Sequence, residues 1–243
     1  MRLQKYLAHA GIASRRRAEQ MISRGEVRVN GALVRELGRS VGEEDVVAVG
    51  GRTIALTSEF AYLVVHKPLN VMTTRRDPEG RRTILSLLPK GLPRVVPVGR
   101  LDYDTSGILL LTNDGELCHV LTHPSFGVDK TYRATVSGRL QAEDVKRFRQ
   151  GIVLEGEKSA GAQLRVVAVR SGASIIDLTI HQGKNRQVRR MFEALGHPVI
   201  ALVRMRFGPL KLGELPVGDF RRASEREIAA LRVLAAKKLP AKE

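Results

Sequence analysis

The chain has 243 residues, with 41 Lys and Arg against 25 Asp and Glu and a formal net charge of +16. An excess of that size draws phosphate backbones or anionic surfaces without specifying a fold. No apolar run approaches the roughly 18–20 residues of a membrane span, and the opening MRLQKYLAHAG lacks a signal peptide's apolar core, so a cytoplasmic protein with no membrane partner is expected.

Residues 1–59 read as a small module of two helices leading into short strands. Leu3, Tyr6 and Leu7 form a helical stripe ended by Gly11, and Ser14 can cap a second helix whose Ala18, Met21 and Ile22 face inward. GEVRVNGALV then alternates around Asn30-Gly31, a strong hairpin signal. Arg15, Arg16 and Arg17 fall in the first turn of the second helix, where the macrodipole makes each cation unfavourable by roughly 0.3–1 kcal/mol. They are either a solvated run or a phosphate-contacting surface. Eight Lys and Arg against two Asp and Glu over residues 1–35 favour the second reading.

A boundary is expected at Thr57–Phe60, and the pattern then changes. Strands are predicted at Tyr62–His66, Ile108–Thr112, Lys130–Val136, Leu164–Val169, Ile175–Ile180 and Val199–Val203, and helices at Ala142–Gln150, Asn185–Leu195 and Ser224–Ala235. Strands mostly follow strands, which predicts an α+β fold with a mixed, mainly antiparallel sheet and flanking helices over residues 60–236. Residues 237–243 read as a basic tail. Cys118, the one cysteine, reads as a small core residue. His119 and His123 have helical i,i+4 spacing but no placed acidic partner, so no metal is expected.

GRLDYDTSGILLLTNDG, residues 99–115, sets two carboxylates before an apolar strand, and TNDG turns the chain out of it, with Gly115 able to take positive φ. Asp102 lies on the loop entering that strand, where partial desolvation raises a carboxylate's pKa unless a cation compensates. Asp102 or Asp104 serving only to bond loop amides beside Thr105 or Ser106 stays open. Tyr132 alternates with Ala134 and Val136 and should point into a cavity on one face of the sheet. Asn185 can cap a helix whose Val188, Met191, Phe192 and Leu195 are buried and whose end is marked by Gly196. Arg186, Arg189 and Arg190 crowd its start against the dipole, and Arg189 could pair with Glu193.

Together with DKTYRATVSG and HQGKNRQVRRMFEALGHPVI, that motif resembles the ribosomal RNA pseudouridine synthases that carry an N-terminal RNA-binding module of the ribosomal protein S-four type. The resemblance covers everything but the tail. It implies an isomerase without metal or cofactor, acting as a monomer on ribosomal RNA. It makes Asp102 the catalytic carboxylate, Tyr132 the ring stacked on a flipped uracil and Arg189 the salt-bridge partner of Asp102. Asp104 occupies a position the family varies. Arg100 is expected to enter the space left by the flipped base, and Lys184, Arg186 and Arg190 to contact RNA together with Arg15, Arg16 and Arg17. Arg186 and Arg189 follow the pattern of large-subunit relatives, whereas small-subunit ones place a His and a Lys there. Asn70 replaces a Gly common in the family and should keep the turn, since Asn tolerates left-handed backbone; Lys67 beside it is either structural or phosphate-facing. The competing readings are a small-subunit synthase, a catalytically silent assembly factor, and a hydrolase or glycosylase.

Overall fold

The Ser14 hydroxyl accepts the Arg17 amide at 3.2 Å, so the capping oxygen that the sequence offers does start a helix. This is α2 (Arg15–Ser23), which follows α1 (Leu3–His9). β1 (Val27–Val29) and β2 (Ala32–Val34) join through Asn30 and Gly31, whose φ values of 51° and 79° match the left-handed pair of a type I′ turn. β3 (Val47–Val49) and β4 (Arg52–Ile54) complete an antiparallel sheet of order β2-β1-β3-β4. Leu3, Leu7, Ala18 and Ile22 pack on Val27, Val29 and Val47 beneath it. Arg15, Arg16 and Arg17 all stand exposed.

A computed structural model describes residues 1–56 and 59–238, so Thr57 and Ser58 of the expected boundary, and residues 239–243 of the expected tail, lie outside the described residues. The chain divides into two compact units. One holds the described part of Met1–Ala61 with Pro93–Val95 and Asn113–Gly115, and the other holds the rest.

The second unit is built from β5 (Tyr62–Lys67), β6 (Val96–Pro97), β7 (Ser106–Thr112), α3 (Gly115–Thr122), β8 (Lys130–Ser137), α4 (Ala142–Gln150), β9 (Val153–Leu154), β10 (Glu157–Lys158), β11 (Gln163–Arg170), β12 (Ala173–Ile180), α5 (Gln187–Glu193), β13 (Val199–Phe207), β14 (Leu210–Lys211), β15 (Phe220–Arg222) and α6 (Glu225–Lys238). Its large sheet runs β11-β12-β8-β13-β7-β5-β15, with β14 on β13 and β6 on β7. Among the described strands, β13 with β7 is the one parallel pair. The α+β class and the mainly antiparallel sheet are as the sequence predicts. Ile108 and Leu110 of β7 pack with Val64, Leu117, Val120, Leu121 and Leu231 in a core, and each such aliphatic side chain contributes about 1.5–3 kcal/mol by burial.

Several local expectations change. Gly115 does not leave the strand at positive φ but opens α3, which extends to Thr122. Asn185 does not cap α5. The N-cap is Arg186, at φ 47° and without a side-chain cap bond. α6 continues through Lys238, two residues into the expected tail. Asn70 does take φ 59°.

Candidate active site

The loop between β6 and β7 carries Asp102, and three neighbours pin its backbone. Thr73 Oγ1 donates to the Leu101 carbonyl at 2.7 Å and accepts the Leu101 amide at 3.2 Å. The Asn70 amide donates to the Tyr103 carbonyl at 2.9 Å. Lys67 Nζ donates to the carbonyls of Pro68 and Thr105, each at 2.9 Å. Lys67 is fully buried, and that burial lowers its pKa to about 8 despite the opposing pull of Asp102 and Asp104. Of the two roles open to Lys67, the structure shows the structural one. The Asp102 side chain, by contrast, is half-buried and faces a cleft of about 480 Å³.

Where the loop joins β7, Gly107 has φ 118° and lies against the backbone of Arg204. A Cβ there would sit 2.4 Å from both the amide nitrogen and the carbonyl oxygen of Arg204. The glycine therefore permits the β7–β13 parallel pairing that sets the loop at the sheet's end.

The cleft gathers Arg100, Asp102, Tyr132, Lys184, Arg186 and Arg189 from separate segments of the chain. Tyr132 is 8% exposed, across from Leu178 on β12 and Arg204 on β13. Arg190 lies outside the cleft lining and pairs with Glu155 at 2.7 Å, while Lys184 pairs with Glu157 at 2.5 Å. Arg15, Arg16 and Arg17 belong to the other unit.

Arg189 differs from expectation in its partner. Its Nε lies 3.2 Å from Asp104 Oδ2 and its Nη2 donates to the Asp104 carbonyl at 2.7 Å. Arg186 adds a fork to the same carboxylate, at 2.9 and 3.0 Å. That fork, followed by the Arg189 charge, holds the Asp104 carboxyl below the usual carboxylate range. Asp104 is thus the structural anion, and Asp102, free of that fork, is the one that lines the cleft.

Two cleft cations were not singled out from the sequence, although Lys130 lies within DKTYRATVSG. Lys130 Nζ donates to the Val128 carbonyl at 2.7 Å, and burial together with the Arg204 charge lowers its pKa to about 8. Arg204 is 2% exposed, donates from Nε to the Ile108 carbonyl at 2.9 Å and holds its guanidinium 5.2 Å from the Phe207 ring centre. Alternation carried the signal, since Arg204 shares the inward face of β13 with Leu202. A carboxylate outside that fork, the Tyr132 and Phe207 rings and a rim of cations suit a planar base on an anionic backbone. Among the described residues, no three His, Cys, Asp or Glu side chains are grouped as metal ligands would be.

The family model described as RNA pseudouridylate synthase matches residues 61–194, which span most of this cleft up to α5. The chain belongs to the RNA pseudouridylate synthase family. An S4 domain model matches residues 1–47 of this synthase. Over 236 residues it is 46% identical to Ribosomal large subunit pseudouridine synthase B of Bacillus subtilis, covering 96% of each chain. It is 39% identical to the protein of the same name from Pseudomonas aeruginosa, over 95% of this chain and 61% of that one. A solved structure described as a pseudouridylate synthase matches with TM-score 0.70 and 30% identity, over 95% of this chain and 99% of the other.

Proposed function

We propose that the synthase isomerises a uridine of large-subunit ribosomal RNA to pseudouridine, with Asp102 as its catalytic carboxylate. The observation that carries this is Asp102 and Tyr132 lining one cation-rimmed cleft, in a chain 46% identical to a synthase named for the large subunit. The reaction breaks the bond from N1 to the sugar C1′ and makes one from C5 to C1′. C5 gives up a proton and N1 takes one, so the sum needs no co-reactant. The uracil must leave its stack before either bond is reachable. Asp102 then starts the exchange as nucleophile or base. Tyr132 stacks on the turned base, and its phenol assists removal of the C5 proton.

Arg189 serves this chemistry through Asp104, holding the loop that carries Asp102. Arg100 fills the space the base has left and contacts phosphate. Arg186 contacts the RNA, and Lys184 and Arg190 exchange Glu157 and Glu155 for phosphates. Residues 1–59 serve as the S4-type RNA-binding domain, with Arg15, Arg16 and Arg17 on the backbone, and residues 60–236 as the catalytic domain. The test is chemical tagging of pseudouridine in separate large- and small-subunit transcripts after incubation with the enzyme. New sites in the large-subunit transcript support the reading. Sites confined to the small-subunit transcript would replace it with the small-subunit alternative.

A further inference from the structure

The catalytic cleft uses one face of the large sheet. On β8 and β12 its side are Tyr132, Ala134, Ile176, Leu178 and Ile180, all buried. The alternate residues of the same strands point the other way, and there the sheet carries a second cleft of about 650 Å³. Its lining holds four cations, Arg133, Arg165, Arg206 and Lys211, against one carboxylate, Asp177. Nothing in the pseudouridine chemistry uses it.

We propose that this opposite face is a further RNA-binding site beyond the cleft and the S4-type domain, one that grips the sugar-phosphate backbone of an RNA helix flanking the target. Arg206 and Lys211 sit directly across from each other on β13 and β14. Both are exposed, and among the described residues neither has an acidic partner. Like charges so placed destabilise a sheet, and a phosphate between them relieves the repulsion. Asp177 holds two guanidiniums upright: Arg133 by a fork at 2.8 and 3.0 Å, and Arg165 at 2.7 Å. One carboxylate neutralises one of the two charges, which leaves a pre-oriented cation facing solvent. Thr131 and Thr179, bonded to each other at 2.9 Å, add hydroxyls to the same lining.

The lining contains no aromatic ring, so this cleft cannot stack bases as the Tyr132 side can. Cations and hydroxyls without a stacking platform read phosphates and 2′-hydroxyls, the groups that a paired RNA presents. The two faces thereby divide the work: one takes a single flipped base, the other a length of backbone.

This inference rests on RNA being the substrate, and the experiment keeps the two claims apart. The full-length protein and its R206Q/K211Q variant are titrated with the large-subunit transcript across a salt series, and single-turnover pseudouridine formation is measured at saturating RNA. Both replaced side chains are exposed, and a thermal melt checks that the variant is folded. The R165Q variant, 72% exposed at its side chain, provides a second substitution. We expect R206Q/K211Q to bind more weakly, with the slope of log K against log salt smaller by about 0.7–0.9 for each phosphate no longer neutralised, and to retain the wild-type single-turnover rate. Affinity and slope equal to wild type in both variants overturn this further site, including where a variant instead loses an acidic protein partner. Failure of the wild-type protein to form pseudouridine at all strikes the reading beneath it.

Discussion

Arg189 and Asp104 are joined twice, by an ion pair of 3.2 Å between Nε and Oδ2 and by a 2.7 Å bond from Nη2 to the Asp104 carbonyl. Since Arg189 also donates to the Val199 carbonyl at 3.1 Å, one guanidinium ties the loop that carries Asp102 to the start of β13. Asp104→Asn should therefore keep the fold and RNA binding but lower the single-turnover rate by about 10- to 100-fold, the scale of removing one charged hydrogen bond from a positioning network. A rate equal to wild type would show that the loop does not depend on this pair.

Acid should act on the same ion pair. The Asp104 carboxyl is held below its ordinary 3.8 by the Arg186 fork first and the Arg189 charge after it. A depressed carboxylate stabilises the folded state above its unfolded pKa and loses that contribution as pH falls through the folded value. Activity measured after brief exposure to pH below about 4 should fall more steeply for the wild type than for Asp104→Asn, relative to each protein's neutral-pH value.

Lys67 acts with the same sign in a higher pH window. Its folded pKa of about 8 lies below the ordinary 10.5, so the unfolded chain binds the proton more tightly, and stability should rise with pH between those values. Lys130 adds a contribution of the same sign. Denaturant unfolding at pH 8 and pH 10 checks this. Lys67→Met should flatten the rise, and should also cut the rate by freeing the Pro68 and Thr105 carbonyls.

Gly107→Ala should destabilise by on the order of 1–3 kcal/mol or more, because the added Cβ meets main-chain atoms of Arg204 rather than a flexible side chain. Thermal unfolding of the variant measures it directly, and a melting temperature equal to wild type would contradict the close approach of β7 to β13.

Replacing Arg15, Arg16 and Arg17 together with Gln should weaken RNA binding and reduce the salt slope by about 0.7–0.9 for each phosphate that the arginines neutralise, with the single-turnover rate at saturating RNA unchanged. The three side chains are exposed, and their removal relieves unfavourable charge at the start of α2, so thermal stability should hold or rise.

What could be read from sequence followed the range of the interactions concerned. The Asn30-Gly31 turn, the Ser14 cap and the inward face of Tyr132 depend on neighbours within a few residues, and periodicity exposes them. The ion-pair partner of Arg189 lies 85 residues away in the chain, where two acids two positions apart compete and only the folded loop decides between them. Thr73 is 28 residues from the loop it pins, and no local pattern marks it. Arg186 opens α5 from a left-handed backbone rather than through the Asn185 side chain, so tertiary packing overrides the better capping residue beside it. Arg204 was legible in principle, but an arginine among apolar strand residues reads as solvent-facing until its burial is seen.

The central claim is that Asp102, and not Asp104, carries the chemistry. Purified wild type, Asp102→Asn and Asp104→Asn should be incubated at saturating concentration with a large-subunit ribosomal RNA transcript, and the pseudouridine formed in one turnover counted by chemical tagging. Wild type should form a new pseudouridine, Asp104→Asn should turn over more slowly but completely, and Asp102→Asn should form none despite undiminished RNA binding. Pseudouridine formed by Asp102→Asn at the wild-type rate would contradict that claim.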